Sequence, residues 1–169
     1  DKERLYLSPI AALDGTKAIR GGIPLVFPVF GKADGWPGQH GFARISKWRV
    51  TEQTDTKVTL SLCQDDLTDA FRALFPHTFR LSYTVALETD GSLLTSFELI
   101  NHGSESISFQ ALLHTYLRVH DIASVQVLGL EGFPYKDQLL NMQTQAATHK
   151  TLTIGGEVDR GGADVLLQM

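Results

Sequence analysis

Cysteine is nearly absent from this chain of 169 residues: Cys63 stands alone, which excludes an internal disulfide framework and a cysteine-based metal site. A lone thiol fits a reducing, cytoplasmic setting. The alternation of Thr59-Leu60-Ser61-Leu62-Cys63 places it in a strand, where a buried, inert side chain is expected. Basic charge is also scarce. With 15 Lys and Arg against 19 Asp and Glu, the formal net charge is -4, so nucleic acid is not an expected partner. No apolar run is long enough to span a bilayer, and no signal-peptide pattern opens the chain, so no membrane association is expected. His77, His102, His120 and His149 lack metal-ligand spacing and are read as structural or surface residues. Helical periodicity is confined to Asp66–Phe75, where Leu67, Ala70, Phe71 and Leu74 recur at helical spacing before Pro76 stops them.

What remains is strand-like. Hydrophobic residues make up 43% and charged residues 20%, an ordinary balance that fits a single domain, residues 1–169, with a sizeable core. Phe79, Leu81, Tyr83, Val85 and Leu87 alternate with polar residues, Asp90-Gly91 follows, and Leu93 to Ile100 makes a second run. Two such runs across a short Asp-Gly connection predict an antiparallel hairpin. A long strand is expected from Ile107 to Val119, with Ile107, Phe109, Ala111, Leu113, Leu117 and Val119 on its apolar face. Shorter strands are expected at Thr56–Cys63 and Ala123–Leu130. Short strands punctuated by Gly, Asn and Asp point to an all-β sandwich or barrel. The tail from Gly155 ends on Val165-Leu166-Leu167; an apolar last run needs a partner, so missing C-terminal strands, or missing residues near Gly161, are expected.

Residues 8–48 differ from the strands in carrying many backbone-special residues: Ser8-Pro9, Asp14-Gly15, Arg20-Gly21-Gly22, Pro24, Pro28, Gly31 and Pro37-Gly38. Glycine allows close backbone approach to a ligand and proline fixes loop shape. Arg20, Gln39, His40 and Arg44 are set in this frame. Two guanidinium groups on rigid loops suit a phosphate, each offering paired donors in a plane. An arginine beside Gly-Gly is also a common solvated loop residue, and that reading stays open on chemistry alone. His114 falls on the face opposite the apolar one, with Gln110, Leu112, Tyr116 and Arg118. Such a face can floor a polar cleft, where histidine serves as acid or base near neutral pH, or can simply meet solvent. Asp159, after Ile154-Gly155-Gly156, can accept from sugar hydroxyls or be a surface charge.

The ordered run Ser8-Pro9, Asp14-Gly15, Ile19-Arg20-Gly21-Gly22-Ile23-Pro24, Phe27-Pro28-Val29-Phe30-Gly31, Gln39-His40-Gly41-Phe42-Ala43-Arg44 and Trp48 resembles the glucose-6-phosphate 1-epimerase (hexose-6-phosphate mutarotase) branch of the aldose 1-epimerase superfamily. His114-Thr115-Tyr116, Gly129-Leu130 with Gly132 and Tyr135-Lys136-Asp137, and Glu157-Val158-Asp159-Arg160 follow in the same order, so the resemblance runs from about residue 8 to residue 160. It implies a large antiparallel β-sandwich of the galactose mutarotase-like type, incomplete here at its C-terminus. It also implies substrate binding by Arg20, Gln39, Arg44 and Asp159, with His40 lining the pocket and His114 as the catalytic acid. The implied partner is a small phosphorylated hexose; the proton transfers such a reaction uses need no metal or organic cofactor, and a monomer is expected. The family's base is a glutamate beyond the aspartate motif, and no residue of this chain matches it; Asp159-Arg160-Gly161-Gly162 also departs from the family's usual continuation.

Overall fold

The strongest alternation in the sequence becomes the longest pairing in the structure, a computed structural model that describes residues 2–162 and the backbone of residues 166–168. The chain divides into two compact units, a larger one of residues 7–115 and a smaller one of residues 1–6 and 116–169. In the larger unit the strands are β1 (Leu25–Val26), β2 (Arg49–Gln53), β3 (Lys57–Cys63), β4 (Phe79–Leu87), β5 (Leu93–Asn101) and β6 (Leu112–Leu113). Strands β2 to β5 form a four-stranded antiparallel sheet in chain order. The β4–β5 hairpin holds one register from Phe79↔Asn101 to Leu87↔Leu93. Its turn needs Gly91, whose φ of 83° lies where other residues are strained, and Asp90 accepts from the Ser92 N–H at 2.8 Å.

Alternation buries Phe79, Leu81 and Tyr83 on one face of β4 and leaves Arg80 exposed. Leu62 on β3, paired with Leu81, joins the same face. Against that face lie Leu25, Phe27, Phe42, Ala43, Leu67 and Phe75. Phe27 is fully buried, and its ring meets Phe42 (5.7 Å between centroids), Phe75 (5.5 Å), Phe79 (6.2 Å), Phe97 (5.9 Å) and Phe109 (5.4 Å). Aromatic pairs in edge or offset geometry contribute about 0.5–1.5 kcal/mol each beyond the area they bury, so this cluster dominates the unit's core.

In the smaller unit, β7 (Gln126–Leu128) pairs with β10 (Thr151–Thr153). A second sheet there has the order β12 (Leu166–Gln168), β11 (Asp159–Gly161), β8 (Pro134–Asp137), β9 (Gln143–Ala146). Every pairing between these named strands is antiparallel, as an all-β architecture of this kind requires. No helix among the described residues is long and apolar enough to cross a membrane.

Several expectations need correction. The expected strand from Ile107 to Val119 is broken: Thr115 turns its N–H back to the Leu113 carbonyl at 3.0 Å, and the two sides pair with different segments. Residues 110–114 run beside 24–28, whereas Leu117 bridges Leu5 and is 69% exposed, so the apolar face read through Leu117 and Val119 is not continuous. The strand expected over Ala123–Leu130 begins as a 3-10 turn, Ile122–Ser124, because Asp121 caps it by accepting from the Ala123 N–H and the Ser124 hydroxyl; only Gln126–Leu128 is extended. The helix over Asp66–Phe75 shortens to α1 (Asp69–Leu74). Thr68 is its cap, and Asp66 instead closes the preceding turn by accepting from the Cys63 N–H at 2.8 Å. Cys63 lies in a strand as expected but is half-buried, with its thiol against Asp66 and Arg49 rather than in the core. Of the apolar ending, Val165 lies outside the described residues, while Leu166–Gln168 pairs with β11.

Gly41 is where the backbone tolerates least change. Its φ is 67°, and a Cβ added there would meet the Phe27 carbonyl oxygen at 2.1 Å and Pro28 N at 2.7 Å. Those neighbours are backbone atoms of the buried core, so they cannot yield cheaply. Gly41→Ala is expected to cost roughly 2–5 kcal/mol, left-handed strain and overpacking acting together. Chemical denaturation of the two proteins measures it, and an unchanged midpoint would refute this reading of the Phe27–Gly41 contact.

Candidate functional site

The segment from Pro24 to Phe30 is the local scaffold, because it pairs on both sides. On one side, β1 and β6 give Leu25↔Leu113 and Val26↔Leu112. The same register continues through single bonds, from the His114 N–H to the Pro24 carbonyl (2.9 Å) and from the Gln110 N–H to the Pro28 carbonyl (2.8 Å). The Gln110 side chain closes this edge by accepting from the Phe30 N–H at 2.8 Å. On the other side, Phe27 bridges Gly41 in parallel sense, and its carbonyl accepts from the N–H groups of Phe42 (3.0 Å) and Ala43 (3.3 Å). One buried segment therefore brings the Gln-His-Gly-Phe-Ala-Arg loop beside the histidine strand.

The outcome is a pair of histidines. The His40 and His114 rings lie 5.7 Å apart, edge to face, and both residues are half-buried. His40 also packs on Phe30 at 5.2 Å. Its Nδ1 accepts from the Gly31 N–H at 3.1 Å, and its own backbone N–H donates to the Gly31 carbonyl at 2.8 Å. Burial first, then the positive charge of Arg44 and the neighbouring His114, lower the His40 pKa from the ordinary 6.5 to about 4. Arg44, in the 3-10 turn Ala43–Ile45, donates from Nη2 to the Gln39 carbonyl at 3.1 Å. The Trp48 indole N–H ties down the same turn through the Ala43 carbonyl at 2.8 Å. Gln39, His40, Arg44 and His114 are thus gathered by one scaffold, with a cation and two imidazoles among half-exposed side chains.

Of the remaining two sequence candidates, Arg20 lies in the larger unit and Asp159 in the smaller. Arg20 is exposed on the loop next to the Leu7↔Gly21 bridge, where its carbonyl accepts from the Ser8 N–H at 3.0 Å. Asp159 belongs to the smaller unit and opens β11. There Gln138 Nε2 donates to Asp159 Oδ1 at 3.1 Å. Its neighbour Arg160 donates from Nε to Asp137 Oδ2 at 2.9 Å and lies 5.0 Å over the Tyr135 ring. Asp137 is buried to 3% exposure and also caps the turn after β8 by accepting from the Leu139 N–H. Strand β11 is consequently locked by its own charged residues, and the Tyr135-Lys136-Asp137 segment is a structural partner of the Asp159-Arg160 segment. The sequence signals Gly31 only as part of the glycine- and proline-rich frame and Gln110 only as sharing the polar face of His114, and it carries no signal for Gln138. Among the described residues, no three His, Cys, Asp or Glu side chains gather as a metal site would require.

Comparison with known proteins bears on this arrangement. A family profile described as Aldose 1-epimerase matches residues 1–161. A protein of Cenchrus ciliaris, provisionally named a glucose-6-phosphate 1-epimerase, is 31% identical over 172 residues, covering 94% of this chain and 50% of its own length. An Escherichia coli protein with the same provisional name is 32% identical, covering 95% of this chain and 53% of its own. The crystal structure of a Salmonella typhimurium protein, YeaD, provisionally described as a mutarotase, superposes with a TM-score of 0.75 at 31% identity, over 95% of this chain and 52% of that one. The chain spans about half the length of the relatives it matches.

The lowered pKa of His40 has a consequence for stability. The unfolded chain takes up this proton near pH 6.5 and the folded chain only near 4, so in that window the unfolded state binds more protons. The stabilising contribution is present above about pH 6.5 and is lost as pH falls toward 4. His40→Asn removes the titrating group while keeping a residue that accepts a positive φ. The native chain is therefore expected to lose more stability between pH 7 and pH 4.5 than the variant does. Equal losses in denaturant titrations at the two pH values would contradict it.

Proposed function

Because the chain belongs to the aldose 1-epimerase family, we propose that it carries the sugar-phosphate recognition surface and the general acid of an enzyme that interconverts the α and β anomers of a hexose 6-phosphate, glucose 6-phosphate first among them. The observation that supports this most is the gathering of His114, His40, Gln39 and Arg44 around the Pro24–Phe30 segment. Arg44 and Arg20 supply planar paired donors for a phosphate, and Gln39 supplies an amide for hydroxyl groups.

In the proposed reaction a base takes the proton of the anomeric hydroxyl. The bond from the anomeric carbon to the ring oxygen breaks, its electron pair going to that oxygen, which takes a proton from His114. The open aldehyde rotates about its first carbon-carbon bond. Reclosure then returns one proton to His114 and the other to the anomeric oxygen, giving the opposite anomer. The carbon–oxygen bond breaks and re-forms with no net redox change, and the accompanying proton transfers call for no metal or organic cofactor beside His114. Asp159 is assigned to sugar hydroxyls on the resemblance of its motif. No residue of this chain is assigned as the base; the second reading is a sugar-phosphate-binding protein without catalysis.

Two experiments on the complete protein test the proposal, and the first also separates the two readings. His114→Ala is expected to lower the rate of glucose 6-phosphate anomerisation, followed by polarimetry, by about 10²- to 10⁴-fold, the usual contribution of a positioned acid. Undiminished activity would remove His114 from the mechanism, and binding without any acceleration by the native protein would favour the second reading. Arg20→Ala and Arg44→Ala are each expected to weaken glucose 6-phosphate by about 2 kcal/mol and free glucose by much less. Equal losses for both sugars in calorimetric titration would show that the arginines do not read phosphate.

A further inference from the structure

We propose that Gly31 clamps His40 as its neutral Nε2–H tautomer, so that of the two adjacent histidines only His114 exchanges protons and His40 meets the sugar as a fixed hydrogen-bond donor. The tautomer follows from the direction of one bond. The Gly31 N–H points at His40 Nδ1 over 3.1 Å, and an N–H can be accepted only by a nitrogen lone pair. Nδ1 therefore carries no proton, and a neutral ring must carry it on Nε2. Protonating the ring would set Nδ1–H against Gly31 N–H, forfeiting the bond and opposing two donors.

The clamp is anchored at both ends. The His40 backbone N–H returns a bond to the Gly31 carbonyl at 2.8 Å, so residue 31 holds both the main chain and the ring of residue 40. His40 has a φ of 70°, uncommon for a residue with a side chain, between Gly31 at 66° and Gly41 at 67°. Strain of this kind persists only where surrounding contacts impose it, and it collects at functional positions. Phe30 covers the ring on one side, and the charged or titratable groups bearing on it are Arg44, from the turn after the loop, and His114, from the strand across the scaffold. Both disfavour a second positive charge, and the lowered pKa agrees with the bond direction. No hydrogen bond among the described residues engages Nε2, which leaves it available to a ligand.

The tautomer stands on the geometry alone; its use toward a sugar rests on the proposed function, and the test separates the two. Long-range proton–nitrogen NMR correlation on the chain labelled with ¹⁵N-histidine reads the protonation of each ring nitrogen. The expected result is an unprotonated Nδ1 and a protonated Nε2 on His40, unchanged from pH 7.5 to pH 5.5. A protonated Nδ1, or a doubly protonated ring within that range, overturns the clamp whatever the protein's activity. In the complete protein, His40→Asn retains an oxygen able to take the Gly31 N–H but removes the Nε2 donor. It is expected to raise KM for the hexose phosphate by about 10-fold, with the pH dependence of kcat unmoved. Loss of the acidic or basic limb of that profile would make His40 a proton carrier and refute the division of roles. The expected tautomer with an unchanged KM would uphold the clamp and refute its contact with the sugar.

Discussion

Phe27 is the constraint on which the rest depends, because its ring and its backbone perform different tasks in one place. The ring fills the centre of an aromatic cluster drawn from β4, β5, α1 and the loop at Phe42. The backbone, fixed by that burial, offers its carbonyl to Phe42 and Ala43 and its edge to Gly41. Remove either task and the Gln39–Arg44 loop has no reason to lie beside the strand of His114. The core and the candidate site therefore share one residue. Its packing is also why Gly41 cannot carry a side chain.

That economy explains the character of the site. Interiors are packed too densely to deform continuously, so a loop sewn onto a core residue inherits the precision of the core. His40 shows the effect most clearly: its main chain, its ring nitrogen and its ring face are each engaged by Phe27, Gly31 or Phe30. His114 receives its place from the same segment through Pro24. In the smaller unit a comparable economy holds Asp159, where the buried Asp137 fixes the next residue, Arg160, and Gln138 reaches Asp159 itself.

Legibility in the sequence followed from how far each signal could be read locally. The β4–β5 hairpin was plain, since alternation and Asp90-Gly91 specify it within some twenty residues' reach. The all-β, mutarotase-like class and the gathering of Gln39, His40, Arg44 and His114 were also accessible, the latter because ordered motifs carried what spacing could not. Strand β2 left no trace: all five of its residues are exposed, so nothing alternates. The break at Thr115 was hidden because apolar residues continue past it while the pairing partner changes, and partners are a tertiary property. Gly31 as the group that orients His40 was equally out of reach, being set by a bond across nine positions.

If one buried segment assembles the proposed sugar-phosphate site from two distant stretches of chain, titrating glucose 6-phosphate into the ¹⁵N-histidine-labelled chain tests it most directly. The prediction is that His40 and His114 ring signals shift together, with one common Kd, and that glucose produces the same shifts only at far higher concentration. Shifts confined to His77, His102, His120 or His149, or none at all, would contradict it.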